Sequence, residues 1–275
     1  MTKFTPVNIK SLALGFITVF IGVISLFMFL KSDVNKAFSG TLFLITWVGG
    51  AYFSIKYRFW KAIAIWLIIY TLFFGLLGDI PLVDNVRQSA RNLYYHVTMW
   101  MAMFILFISS VVFSVLYLWK EDLKYDTFAE GATHAGVIIG FIGLVTGMLW
   151  ARHTWNAYWN SDPKQVYTVI GLLLYIGYFL LRGAFADEVR KARLSAVVNI
   201  FAFPSMLVLL YVLPRMTNSL HPGSEGSTMI LSSEDINSNM RIIFYPAIIG
   251  WTLVGVWIAS LRIRCNLIKN KLINL

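Results

Sequence analysis

Eight stretches of this chain are apolar over lengths that approach or match the thickness of a lipid bilayer. They run about 11–30, 41–55, 62–80, 94–119, 132–151, 165–184, 195–214 and 242–261. A helix crosses the hydrocarbon core with roughly 20 mostly apolar residues. Helices and closed barrels are the two structures that satisfy their own backbone in lipid, and none of these stretches alternates as a barrel strand does. The second is short and interrupted by Gly49 and Gly50. The first is too long for a cleavable signal, and its end carries no small-residue cleavage pattern. At 58% hydrophobic and 13% charged residues, the composition excludes an ordinary soluble domain. The expected fold class is all-α, a polytopic membrane helix bundle. It has a six-span core (56–262), two extra N-terminal spans (1–55) and a basic tail (263–275), with both termini cytoplasmic.

Charge sets that orientation. With the N-terminus inside, fifteen of the 23 Lys and Arg residues fall in inner segments. The other eight are Lys31, Lys36, Arg87, Arg91, Arg152, Lys164, Arg215 and Arg241. Positive charge gathers on the cytoplasmic side of membrane proteins, so the net charge of +10 reads as anchoring and requires no nucleic acid. The basic stretch Arg262–Lys271 is expected to lie against anionic lipid. The single Cys265 excludes a disulfide within the chain.

This topology puts three loops on the outer side, 81–93, 152–164 and 215–241. His96, His153 and His221 lie in or beside them, whereas His134 falls on the inner side at the start of a span. The loop Trp155–Lys164 packs three large aromatics, a carboxylate, a proline and a cation between two apolar runs. Neutral imidazole is a common haem iron ligand, and two give a six-coordinate iron. Aromatic faces suit the porphyrin plane, and cations suit its propionates. His96 and His221 are the candidate ligands, with Trp155, Tyr158 and Trp159 lining the ring and Arg91, Arg152, Lys164 and Arg215 facing the propionates. Each residue also has an ordinary reading. Trp and Tyr gather at membrane interfaces, a histidine near a helix end often serves as an interfacial polar group, and Asp162-Pro163 is a good helix start. Ionisable groups are nearly absent from mid-span, which counts against a pump or coupled transporter.

Three segments carry a family resemblance. Trp155–Lys164 resembles the tryptophan-rich haem-handling motif of cytochrome c assembly proteins, roughly W-G-x-x-W-x-W-D-P-[KR]. Arg91–Val97 resembles the start of the second core span in the haem exporter protein C (CcmC) type. Leu213–Pro222 resembles its second histidine loop. The chain departs from the motif at Asn156, where Gly is usual, and at Ser161, where a Trp is usual.

The resemblance implies haem b at the outer membrane surface with bis-His ligation by His96 and His221. It implies a platform of Trp155, Tyr158, Trp159, Asp162 and Lys164, with Arg91 nearby. It also implies delivery to a haem chaperone of the CcmE type, ABC-transporter-like partners of the CcmA and CcmB types, and residence in the cell inner membrane with periplasmic functional loops. That role is handling and delivery of haem rather than catalysis. Two alternatives stand beside it: a CcsA-type synthase that attaches haem directly to apocytochrome c, and a transporter with interfacial aromatics.

Overall fold

The three fully described connections between long helices are closed by residues suited to stopping or starting one. The computed structural model describes residues 60–78, 87–221, 236 and 238–273. Among these, the elements are α1 (Trp60–Leu77), a 3-10 helix (Arg87–Tyr94), α2 (His96–Lys120), α3 (Leu123–Trp155), α4 (Pro163–Gly183), α5 (Glu188–Leu207) and α6 (Ser238–Ile273). The apolar runs at 11–30 and 41–55 lie outside the described residues. Between α2 and α3, Glu121 adopts a left-handed φ of 53° and returns its N–H to Tyr117 O, and Asp122 then caps α3 by accepting from Lys124 N. Asn156 ends α3 at φ 60°. Asp162 caps α4 immediately before Pro163, and Asp187 caps α5. Pro204 removes an N–H from α5. One turn later the helix widens into a π turn, Val208–Val212, then tightens through Leu213–Arg215 and ends.

Six helices among the described residues are long and apolar enough to cross a membrane, and every described element is helical. They match the last six apolar runs. The helices overrun these stretches: α6 continues to Ile273, past the end of its run at 261, and α3 begins at Leu123, well before the run at 132. Asp126, Glu130 and His134 therefore lie inside a helix rather than before or at its start. Asp126 and Glu130 occupy the first turns of that helix, not its middle. Both carboxylates are buried, and each is answered by a cation. Arg182 of α4 forms a two-pronged pair with Asp126 at 2.7 and 2.5 Å. Arg262 and Asn266 of α6 donate to Glu130 at 2.9 and 2.7 Å. These pairs tie α3 to α4 and to α6 at the end of the bundle remote from His96 and His221.

The centre is α2, which packs on α3, α5 and α6, while α1 docks on α6 and α4 on α5. Its contact with α3 is built on glycine. Gly136, Gly140, Gly143 and Gly147 of α3 face Phe107, Met103, Trp100 and His96 of α2. The spacing is four, three, four on both helices, running in opposite directions. A Cβ added at those glycines would lie 2.5 Å from Phe107, 2.7 Å from Met103, 3.2 Å from Trp100 and 2.5 Å from His96. Small residues are what allow helices in lipid to approach this closely. Deeper in the core, Phe107 stacks on Tyr175 of α4 with centroids 3.8 Å apart. A buried polar chain also joins α2, α3 and α5. Asn199 Nδ2 donates to Ser110 and Ser114 at 2.5 and 2.9 Å, and Ser110 pairs with Thr133 at 2.5 Å.

Gly136→Ala is expected to lower stability by about 1–3 kcal/mol, the usual cost of overpacking a filled core. Gly177→Ala, where an added Cβ meets nothing within 4 Å, should be neutral or gain up to ~1 kcal/mol from helix propensity. Thermal unfolding of both variants in one detergent measures the contrast. Equal effects would mean that the glycine face does not set the packing.

Candidate functional site

The C-terminal half of α3 carries Gly143, Gly147, Trp150 and Trp155, and both candidate histidines pack against it. His96 begins α2. Its Nδ1 lies 2.8 Å from Gly143 O, and its ring occupies the space a side chain at Gly147 would fill. A carbonyl only accepts, so Nδ1 carries the proton in this contact and Nε2 keeps a free lone pair. His221 arrives from the segment after α5. Its ring lies 5.6 Å from Trp150 and 4.8 Å from Trp155, edge-on to the latter at 79°. Trp150 is one turn beyond Gly147, roughly 4.5 Å along the helix axis.

Asp162 organises the second histidine. Its side chain is 1% exposed. The carboxylate accepts from Lys164 N at 2.9 Å, from Ser219 Oγ at 3.0 Å, from Leu220 N at 2.6 Å and from His221 Nδ1 at 2.8 Å. Burial pushes this carboxyl up, but the hydrogen bonds from His221, Leu220 and Ser219 outweigh it and hold the pKa at about 2. The group is therefore an anion and can only accept. His221 Nδ1 accordingly donates, and its Nε2 lone pair is left free. A histidine that binds metal commonly gives its other N–H to a carboxylate or carbonyl, which fixes ring and tautomer. Both histidines here have that arrangement, so the residues present fit a bis-histidine iron.

The other expected residues divide. Trp155 is half-buried against His221. Tyr158 and Trp159 are 53% and 41% exposed on the loop surface. Gln165, buried in α4, holds that loop by accepting from Asn160 N at 3.0 Å and donating to Tyr158 O at 3.3 Å. Arg152 donates to Asn156 O at 2.6 Å and lies over the Tyr158 ring, 5.9 Å from its centroid. Lys164 is half-buried in the first turn of α4, and Arg215 is exposed. Arg91 meets the end of α1. Its Nη1 donates to the carbonyls of Gly75 and Gly78, at 3.1 and 2.6 Å, closing the last turn of α1. His153 is exposed. His134 lies among α3, α4 and α6 near the opposite end, edge-on to Phe179 at 5.9 Å. Among the described residues, no group of three His, Cys, Asp or Glu could hold a metal by itself.

The profile of the family described as "Heme exporter protein C" matches residues 51–274. The chain belongs to that family. A Heme exporter protein C of Escherichia coli K12 is 27% identical over 211 residues, covering 76% of this chain and 82% of the relative. One of Bradyrhizobium diazoefficiens is 26% identical over 200 residues, 72% of this chain and 74% of the relative. One of Paracoccus denitrificans is 23% identical over 200 residues, 72% and 82%. A "Cytochrome c biogenesis protein CcsA" of Prochlorococcus marinus is 28% identical over 93 residues, 34% of this chain and 29% of the relative. Membership in the Heme exporter protein C family supports haem handling in cytochrome c biogenesis by a multi-pass membrane protein.

Two departures from the family motif gain a local explanation. Asn156 stands at φ 60°, a left-handed helix end that Gly and Asn both tolerate. Ser161, at φ 55°, turns the chain directly before Asp162. Gly143, Gly147, Trp150 and Ser219 were not singled out from sequence. The glycine spacing was a readable signal, whereas the role of Ser219 depends on Asp162, 57 residues away.

Acid should release the His221 segment, with a predictable sign. Asp162 is held below its ordinary carboxylate value in the folded protein. Its contribution is therefore complete above that value of 3.8 and is lost as pH falls through about 2. Tryptophan fluorescence, reporting the contacts of His221 with Trp150 and Trp155, should stay level down to that value and change below it. Asp162→Asn should lack this component at every pH. The same acid transition in both proteins would show that Asp162 does not hold the segment.

Proposed function

We propose that this protein holds haem b at the outer, periplasmic end of the bundle, with His96 and His221 as the two axial ligands, and delivers it to a haem chaperone of the CcmE type. The observation that carries the reading is shared by the two imidazoles. Each has Nδ1 engaged, by Gly143 O and by the Asp162 carboxylate, so each presents Nε2. Iron in the porphyrin supplies two axial positions for such nitrogens. His96 is placed by the helix contact between α2 and α3, and His221 by Asp162. Trp155 borders His221, while Tyr158 and Trp159 form the exposed aromatic surface of the same loop. On this reading they present the edge of the haem to its next carrier, with Arg152, Lys164 and Arg215 as cations on that end for propionates. Arg91 supports the site indirectly by fixing α1 against the segment that enters α2.

The assignment of that end to the periplasm rests on the positive-inside distribution. With that orientation, the proposed setting is the cell inner membrane with both termini cytoplasmic. In that reading residues 56–262 form the haem-handling core, 1–55 an accessory pair of spans and 263–275 a basic cytoplasmic tail. Partners of the CcmA and CcmB types would supply the ATP-driven step. Delivery of this kind makes and breaks coordination bonds without a catalytic residue of its own. A synthase-type activity is the second reading, favoured by one observation: His134 lies inside α3 rather than at its edge. That reading predicts cytochrome c maturation by this protein without the chaperone.

The visible spectrum tests the leading proposal. Purified protein should show the Soret and α/β bands of six-coordinate, low-spin haem. His96→Ala and His221→Ala should each lower haem content and lose that spectrum, and identical spectra in all three would end the axial assignment. Asp162→Asn, which keeps the helix cap, should weaken haem retention about 10- to 100-fold, as loss of a group supporting a metal ligand does. Replacing Trp155 and Trp159 together by Ala should impair haem retention or chaperone loading while membrane insertion persists. Aromatic stacking is worth about 1–3 kcal/mol per ring for nucleic-acid bases, a scale that makes the effect measurable. Unchanged chaperone loading would reduce the loop to an interfacial anchor.

A further inference from the structure

Trp100 makes a polar contact that the haem-holding reading does not use. It lies one turn after His96 on α2, with the two rings edge to face at 83° and centroids 5.9 Å apart. Its indole Nε1 is 3.2 Å from His96 Nδ1. The same Nδ1 is 2.8 Å from Gly143 O. An indole N–H only donates and a carbonyl only accepts, so the two contacts exclude each other as hydrogen bonds. When Nδ1 is protonated it donates to Gly143 O, and Nε2 is free to coordinate. When Trp100 donates to Nδ1, the ring proton is on Nε2, and that nitrogen cannot bind iron. Gly143 holds both competitors. Its carbonyl faces His96, and its missing side chain makes room for the Trp100 ring, which a Cβ would approach to 3.2 Å.

We propose that Trp100 is a positioning residue that tunes His96 as a ligand: its N–H stabilises the non-coordinating tautomer and so favours haem release. The proposal rests on the reading of His96 as an axial ligand. The imidazole is neutral before and after the exchange, with one ring proton in each state. On release, when the iron–Nε2 bond breaks, the freed Nε2 would take a proton from water, Nδ1 would then return its proton to water, and the Trp100 N–H would turn its hydrogen bond onto the vacated Nδ1. Fast hand-over needs a ligand that is well oriented and still able to let go. The Gly143 carbonyl serves the first need and Trp100 the second.

The test removes the N–H and keeps the ring. Trp100→Phe does so simply, and 3-benzothienylalanine at position 100 does so with nearly the same shape, which guards against a packing artefact. In the haem-free protein in lipid nanodiscs, 15N spectra of labelled histidine should show His96 shifted toward the Nδ1-protonated tautomer in both variants. Haem loss from the loaded protein to apomyoglobin should slow by about two- to tenfold, the scale of one ordinary hydrogen bond. A merely structural Trp100 predicts an unchanged tautomer and faster haem loss, and that result overturns the proposal. A tautomer shift without any change in haem loss also overturns it. If His96→Ala then keeps the wild-type haem spectrum, the ligand reading fails as well. If the spectrum does depend on His96, only the role of Trp100 falls.

Discussion

Four glycines on α3 set how closely α2 can approach, and the histidine end of the bundle is positioned by that approach. In lipid there is little hydrophobic drive between helices, so association depends on close packing and on hydrogen bonds across the contact. Gly136, Gly140, Gly143 and Gly147 remove the side chains that would keep α2 away. Phe107, Met103, Trp100 and His96 fill the space. The same closeness brings the His96 ring to a backbone carbonyl, which a longer residue at Gly147 would prevent. The packing of the core and the orientation of the imidazole are therefore one arrangement. The polar chain through Asn199, Ser110 and Thr133 adds hydrogen bonds to the same helix contact nearer the other end.

Asp162 couples sequence-distant segments through one buried carboxylate. It starts α4, gathers Ser219 and Leu220, and orients His221. A neutral cap would serve the helix start equally well, since Asn and Ser are good caps. The anion is needed by the other donors, because a carboxylate offers about four lone-pair sites and accepts on both oxygens. The reading of Asp162 as a helix cap and its reading as part of a binding loop thus converge. Its position, however, is beneath the loop and against His221, rather than on the aromatic surface formed by Tyr158 and Trp159.

The six helices were legible because lipid imposes length and apolarity on each one separately. The start of α3 was hidden by Asp126, Glu130 and His134, which look like loop residues in a linear reading. Their neutralising partners, Arg182 and Arg262, are 56 and 132 residues away, and no local pattern reveals such pairs. His96 and His221 were singled out by the charge-derived topology and by family resemblance, and their contacts with α3 came only with the fold. Arg91 illustrates the limit. Its charge and spacing suited an anionic ligand, yet the described contacts of Nη1 are with the carbonyls that end α1. An unfinished helix end competes for the same donors as a propionate, and the sequence does not say which is nearer.

The two ends of the bundle differ in a way that bears on hand-over. At one end, buried ion pairs lock α3 to α4 and α6, an arrangement whose loss is costly because it leaves an unpaired charge behind. At the other, Tyr158, Trp159, Met216 and Leu220 stay exposed around a histidine held from beneath. The single helix α3 joins the ends. Its 33 residues span about 50 Å at the usual rise, well beyond the roughly 30 Å of the hydrocarbon core. Its terminal turns therefore stand outside that core. With the overhang shared between its ends, Arg152, His153 and Trp155 would fall at headgroup depth, where an aromatic and a cation are both stable. On the proposed function, a haem at that end would be reachable from water by a soluble domain and from the bilayer by lateral diffusion. A site at mid-bilayer would offer only the second route. The length of α3 thus does for location what its glycines do for orientation.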